Sequence, residues 1–198
     1  MLLRTYEYIL DLFKLHNYYM SYDMLRCDGV TITQINELVA RGDLKKLSRG
    51  WYWWDSNDKV ENFEVVELTL INPDIIICND SAAYYYGLIS KKPECVSYAT
   101  RRSDRKNMDI YFNTRRHYFS DASFEDNIVI CKTDIVDIRY TSIDKTVCDC
   151  IRFDKEIGEE KVHIIVDSYM GMERKSMERL RYYANHMRVG RHMENYLN

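Results

Sequence analysis

The chain has 198 residues, 46% of them hydrophobic, with only 7 Gly and 2 Pro. That is enough apolar material for one large or two small packed domains, and it excludes a disordered or linker-rich protein. The net charge of −3, from 28 Lys and Arg against 31 Asp and Glu, excludes a surface that is basic throughout, so any nucleic-acid binding must come from local cationic patches.

Residues 4–15 are predicted as an amphipathic helix, with Tyr8, Leu12 and Leu15 on a face with Ile9 and Phe13. Residues 19–27 read as a second helix, with Ser21 as candidate N-cap and Met24 and Leu25 inward. Asp28-Gly29-Val30 is a turn, after which Thr31 caps a third helix, or Thr33 does if it starts late. In that helix Ile32, Ile35, Leu38 and Val39 make an apolar stripe, while Thr33, Gln34, Asn36, Glu37 and Arg41 make the other face. Gly42 supplies the left-handed residue that ends it. Residues 44–48 and 51–54 then flank Arg49-Gly50 as a two-residue hairpin turn. Helix, helix, turn, helix and basic hairpin are the parts of a winged helix-turn-helix.

The short polar stretch 55–59 is the expected boundary, giving a winged helix-turn-helix domain over 1–56 and a mixed α+β domain over 60–198. In the second part a helix over 61–71 carries Phe63, Val66 and Leu70 on one side and is stopped by Pro73. Residues 75–78, 95–99, 109–112 and 127–131 read as strands, and 81–86 as a helix ended by Gly87. Helices are expected at 142–152, 159–170 and 173–186, with a tail helix over 188–197. The fold class is therefore α+β.

Candidate chemistry concentrates in the first part. Thr31, Thr33, Gln34, Asn36 and Arg41 sit on or beside the polar flank of the third helix, and Gln and Asn can pair bidentately with adenine edges. Lys45, Lys46, Ser48 and Arg49 belong to the hairpin, where cations meet phosphates and fix register. Glu37 opposes this unless it accepts from cytosine or pairs with Arg41 four residues on. The bland alternatives are a solvated hairpin and a solvated helix face. Trp51, Tyr52, Trp53 and Trp54 either stack on single-stranded bases or, as expected here, pack against the protein interior. A second basic excess lies between 173 and 192, where Arg174, Lys175, Arg179, Arg181, Arg188 and Arg191 face only Glu173 and Glu178. It contacts DNA or an acidic partner, or it is merely solvated.

Enzymatic constellations are poor. The five His have no metal-ligand spacing, the six Cys form no CxxC, and no phosphate-cradling loop or nucleophile elbow occurs. The Cys are read as small buried apolar residues in a reducing compartment. Asp109, Glu159 and Lys161 are the nearest parts of a nuclease site, but the last two fall on a predicted helix. No cofactor, no metal and no catalytic residue is expected. The start MLLRTYEYIL lacks a secretory pattern and no stretch approaches a membrane span, so a cytoplasmic protein with no membrane partner is expected.

Three segments resemble a known family in order: GVTITQINELVARGDLKKLSRGWYWW, ICNDSAAYYYGLI and IRYTSIDKTVCDCIRF, with RLRYYANHM near the end. They are similar to AbiEi-type antitoxins of type IV toxin–antitoxin, abortive-infection systems. The resemblance implies a repressor that binds inverted repeats in double-stranded promoter DNA of its own operon and counteracts a nucleotidyltransferase-like toxin. Thr141, Asp144, Lys145, Thr146 and Asp149 match the family's Thr-Lys-Thr-Asp block. The same residues have a structural reading: Asp144 can cap a helix and Lys145 with Asp149 is an i, i+4 pair. The rival functional reading is a protein-interaction module, in which the winged helix docks a partner protein through its Trp-rich hairpin and basic C-terminal helices.

Overall fold

The computed structural model describes residues 1–47, 50–55, 62–108 and 110–197. It is a mixed α+β fold with two separate sheets. The chain divides into two compact units: Met1–Pro73 with residues 107–108 and Lys132–Asp137, and Asp74–Lys106 with Ile110–Cys131 and residues 138–197. The expected boundary at 55–59 falls mostly outside the described residues, and the first unit continues through a further helix to Pro73.

The first unit opens with α1, Leu3–Leu15, which buries Ile9 and Phe13. Tyr8 and Leu15, expected inward, are exposed. Asn17 and Tyr18 then both take positive φ, and this tight turn delivers the chain into an extended segment rather than a helix. The expected helix over 19–27 is therefore two elements: β1, Tyr19–Ser21, and α2, Tyr22–Cys27. The aromatic-rich Tyr18-Tyr19-Met20 favours a strand, and Ser21 caps α2 by accepting from the Met24 N–H at 3.2 Å.

Next come α3, Ile32–Arg41, β2, Leu44–Lys46, and β3, Trp51–Trp54. Gly42 ends α3 at φ +83, where a Cβ would be strained, and the Asp43 N–H reaches the Leu38 carbonyl at 3.0 Å. β3 lies between β1 and β2, antiparallel to both. Lys46 lies opposite Tyr52, and the Leu47 N–H donates to the Trp51 carbonyl at 2.7 Å. Gly50, at φ +77, leads into β3, where a positive φ favours glycine. Ser48 and Arg49 lie outside the described residues.

Alternation along β3 sends Tyr52 and Trp54 into the core with Ile9, Phe13, Leu25, Ile35, Leu38 and Leu44. Trp53 is buried on the opposite face, its ring stacked on Tyr19 at 6.4 Å. Packing against the protein interior thus takes up these rings. The unit ends with α4, Phe63–Ile71, whose residues from Val65 onward are all buried, including Glu67, which accepts from the Tyr19 hydroxyl at 3.2 Å.

The second unit is built on a five-stranded sheet in the order β6-β5-β4-β8-β7. Its strands are β4, Ile76–Ile77; β5, Val96–Arg101; β6, Thr114–Phe119; β7, Ile128–Cys131; and β8, Ile138–Thr141. The β5–β6 and β4–β8 pairs are parallel, the others antiparallel. The strand expected over 109–112 is absent among its described residues; the chain becomes extended only from Thr114, where the full length of β6 pairs with β5. Its helices are α5, Asn79–Tyr85; α6, Asp121–Phe124; α7, Ile143–Arg152; α8, Asp154–Ile157; α9, Glu159–Met170; α10, Met177–His186; and α11, Gly190–Leu197. α7 packs against α5, α9, α10 and α11, and one apolar cluster runs through these helices from Val147 and Ile151 to Val162, Leu180 and Tyr196.

Candidate functional site

The first candidate is the outward side of α3. Thr31 caps the helix, its hydroxyl accepting from the Gln34 N–H while the Gln34 side-chain oxygen accepts from the Thr31 N–H at 2.7 Å. This reciprocal pair satisfies two N-terminal donors and turns Gln34 back along the chain. Gln34, expected to read bases, is thus a capping residue, and so is Thr31. Replacing Gln34 with alanine is expected to lower stability by about 0.5–1 kcal/mol in urea titrations, with little effect on sequence preference. A shifted base preference at unchanged stability would contradict that assignment.

Residues 32, 33, 36 and 40 share the side of α3 away from Ile35 and Leu38. All four are exposed, Ile32 at 45%. Ile32 was expected in the apolar stripe; the structure places it outside, next to Thr33 and Asn36. An exposed β-branched residue beside two short polar ones is a surface that can meet a thymine methyl and base edges together. The period alone hid this, because the stripe needed only Ile35 and Leu38 in the core.

The charges around α3 are largely paired. Glu37 accepts from the Met1 amine rather than from Arg41. Arg41 instead pairs with Asp43 at 3.0 Å and lies over the Tyr6 ring at 4.8 Å. The two hairpin lysines point to opposite sheet faces, because they are neighbours on one strand. Lys45 shares its face with Trp53, sits over that ring at 4.9 Å and pairs with Asp55 at 2.9 Å. Lys46 shares its face with Tyr52 and the three helices, is exposed, and has no ion pair among the described residues.

The second candidate is the polar interior of the second unit. Thr141, Asp144, Lys145, Thr146 and Asp149 are all at most 3% exposed. Ser142, not Asp144, caps α7, accepting from the Lys145 N–H at 3.4 Å. Thr141 and Thr146 join their hydroxyls at 2.7 Å, tying the end of β8 to the first turn of α7. Asp144 takes the Tyr169 hydroxyl at 2.6 Å and the Arg179 guanidinium at 3.3 Å, so it ties α7 to α9 and α10. Beside that carboxylate, and through burial first, the Tyr169 phenol is pushed up to about 12.

Lys145 and Asp149 face the other way. Their Nζ–Oδ2 distance is 3.6 Å, an ion pair too long for a hydrogen bond, and the ammonium also sits 4.1 Å over the Phe119 ring. Burial raises the Asp149 carboxyl above its usual range, against the pull of Lys145 and Arg152. Nearby, Asp80 accepts from the Ser97 hydroxyl at 2.8 Å and pairs with Lys161 at 3.3 Å. Lys161 is thus committed to Asp80, and Asp109, the third part of the nuclease-like set, lies outside the described residues. The Asn79 amide donates to His117 Nε2 at 2.9 Å.

A scan of protein-family models finds no match, and no curated protein matches. A solved structure of the Mycobacterium tuberculosis protein RV2827C is similar at 12% identity and a TM-score of 0.44, over 83% of this chain and 68% of that one.

Thiol chemistry has no support in the interior. All six cysteines are free, and burial pushes the thiols of Cys78, Cys148 and Cys150 up, Cys148 to about 12, which leaves them protonated at neutral pH. Cys27 is exposed and Cys95 and Cys131 are half-buried, so only three of the six are the buried apolar residues expected. Among the described residues no group of three His, Cys, Asp or Glu is placed to hold a metal, and no helix is long and apolar enough to cross a membrane.

His117 gives a pH signature. Burial holds its pKa below the ordinary 6.5, with the neutral ring accepting from Asn79. A depressed folded-state value means the contribution to stability is complete above 6.5 and is lost as pH falls through the folded value. The melting temperature is therefore expected to fall on acidification from pH 7 to 5, and His117→Gln is expected to flatten that limb. An equally steep limb in His117→Gln would place the titration elsewhere.

Proposed function

We propose that the first unit is a winged helix-turn-helix that binds double-stranded DNA, with α3 in the major groove and the β2–β3 hairpin beside it on the backbone. The observation that carries this reading is β1. A strand between the first two helices, paired to the outer side of the last strand in the order β1-β3-β2, is the arrangement a winged helix requires. It was not expected from the sequence, and it fixes the hairpin to the three-helix core.

In this reading Thr33, Asn36 and Ile32 meet base edges, and Lys46 meets phosphate. The rival docking module loses its Trp-rich surface, because Trp53 and Trp54 are buried within the first unit and Trp51 is half-buried. Repression of a toxin–antitoxin operon, as the AbiEi-type resemblance implies, extends the proposal, with inverted repeats upstream of the gene as the DNA and a nucleotidyltransferase-like toxin as functional partner. The five residues of the Thr-Lys-Thr-Asp block then hold the second unit together rather than touch a toxin, since none is exposed.

The test is a titration of the full chain against duplex from the gene's own upstream region and against scrambled duplex. Thr33→Ala/Asn36→Ala is expected to reduce the ratio between them by about tenfold while leaving scrambled-duplex affinity unchanged. Equal affinity for both duplexes in the unmodified protein would end the sequence-reading claim.

A further inference from the structure

The five-stranded sheet ends on one side at β7, Ile128–Cys131, which pairs only with β8. We infer that the free edge of β7 takes the β7 strand of a second copy of this chain, antiparallel about a two-fold axis at Val129. This inference is independent of DNA binding by the first unit.

The backbone sets which residues offer that edge. The Ser142 N–H donates to the Asn127 carbonyl at 2.8 Å, and β7 runs in register with β8, Ile128 opposite Thr141 and Cys131 opposite Ile138. Bonded and non-bonded positions alternate along an antiparallel ladder, so Val129 and Cys131 turn their N–H and carbonyl groups to β8. Ile128 and Ile130 turn theirs outward, and no backbone bond joins those groups to a further element among the described residues. Such an edge is a template for one more strand.

The side chains leave it open. Val129 is 40% and Ile130 58% exposed, and β7 holds no charged residue, glycine or proline. Three of its four residues are β-branched, which suits a paired strand. The opposite edge of the sheet differs: β6 carries Arg115 and Arg116, and charged side chains discourage edge pairing.

The sequence around β7 selects a second copy as the occupant. Asp126 stands three positions before Val129 and Lys132 three positions after it. Neither forms an ion pair among the described residues. Antiparallel pairing about Val129 brings the acidic end of each strand to the basic end of the other, whereas parallel pairing joins like charges. In the same register Ile128 of one copy meets Ile130 of the other, and they exchange N–H···O bonds through the groups already turned outward. The Val129 side chains then lie opposite each other at a non-bonded position, where side chains approach most closely. Backbone, apolar and ionic matching coincide in one register. Two-fold pairing also closes the assembly, because it uses up this edge on both copies.

The test is sedimentation equilibrium of the full chain at ~0.1 M salt, with amide hydrogen exchange followed by NMR on the same samples. The mass is expected to rise from one chain toward two between about 10 and 500 μM, as suits a small interface. Exchange at the Ile128 and Ile130 amides is expected to slow by about tenfold or more over that range, while the Val129 and Cys131 amides stay slow throughout. Val129→Lys, which sets two ammoniums opposite each other at the axis, is expected to abolish association; should it fail to fold, the end charges decide. Asp126→Lys and Lys132→Glu are each expected to weaken self-association by about tenfold, and an equimolar mixture of the two variants to restore it, since each then meets its complement. A single-chain mass at every concentration overturns the proposal. So does association unmoved by Val129→Lys, or a mixture that associates no better than its components. Ile128 and Ile130 amides already slow in a solution of single chains would also overturn it, giving the edge to another segment of the same chain.

Discussion

Asp149→Ala is expected to cost about 3–5 kcal/mol of folding stability, because it strands the Lys145 ammonium in a site only 2% exposed. At this chain length that corresponds to a fall of roughly 10 °C in melting temperature. The cost comes from desolvation. In the intact protein the carboxylate 3.6 Å away compensates the buried charge; without it nothing does, and the Phe119 ring at 4.1 Å offers only its quadrupole. Replacing both partners, Lys145→Met with Asp149→Leu, is expected to be far milder than the single change, since a buried ion pair replaced by apolar groups of similar volume is often neutral. Urea unfolding of the single and double variants measures this. A single variant within about 1 kcal/mol of the parent, or a double variant worse than the single, would show that the pair does not behave as a buried ion pair. Asp149→Asn separates charge from volume. The amide keeps the volume but removes the charge that compensates Lys145, so Asp149→Asn is expected to cost nearly as much as the alanine.

Removing the hairpin cations, Lys45→Ala/Lys46→Ala/Arg49→Ala, is expected to weaken duplex binding by roughly 10²-fold at ~0.1 M salt, with each lost phosphate contact lowering the salt slope by about 0.9. The structure divides this effect unequally. Lys45 is drawn to Asp55 at 2.9 Å and to the Trp53 ring, on the sheet face away from α3. Lys46 is exposed, without an ion pair among the described residues, on the face that the helices share. Lys46→Ala alone is therefore expected to lower the slope by close to one contact, and Lys45→Ala by much less. Gel-shift isotherms at several salt concentrations distinguish the two. A larger slope change for Lys45→Ala, or an unmoved isotherm for the triple variant, would remove the hairpin from the proposed DNA-binding surface.

Where sequence reading succeeded and failed follows from the reach of the forces involved. The ends of α3 were legible because capping is local: Thr31, Gln34 and Gly42 act within four residues of the bonds they satisfy. The placement of Gln34 follows from the same local chemistry, since a side chain that can pair with adenine can also cap its own helix. The strand at Tyr19–Ser21 was hidden because three residues show no period; only β3, more than thirty residues later, makes them a strand. β6 and β8 were missed for the same reason, being held by partners distant in sequence. β7 was legible as a strand, but its place at the sheet edge was not, since strand order is decided by pairing between distant segments.

The order of residues alone determined the α+β composition, the three helices and hairpin of the first part, and the caps and stops that bound them. Each depends on propensities and hydrogen bonds within about one helical turn or one strand period. Tertiary structure alone decided which polar groups face water. It exposed Ile32 beside Thr33 and Asn36, set Lys45 and Lys46 on opposite faces, and buried Lys145 with Asp149. Burial and pairing are properties of surfaces that meet across the chain, and their free energies exceed any local preference.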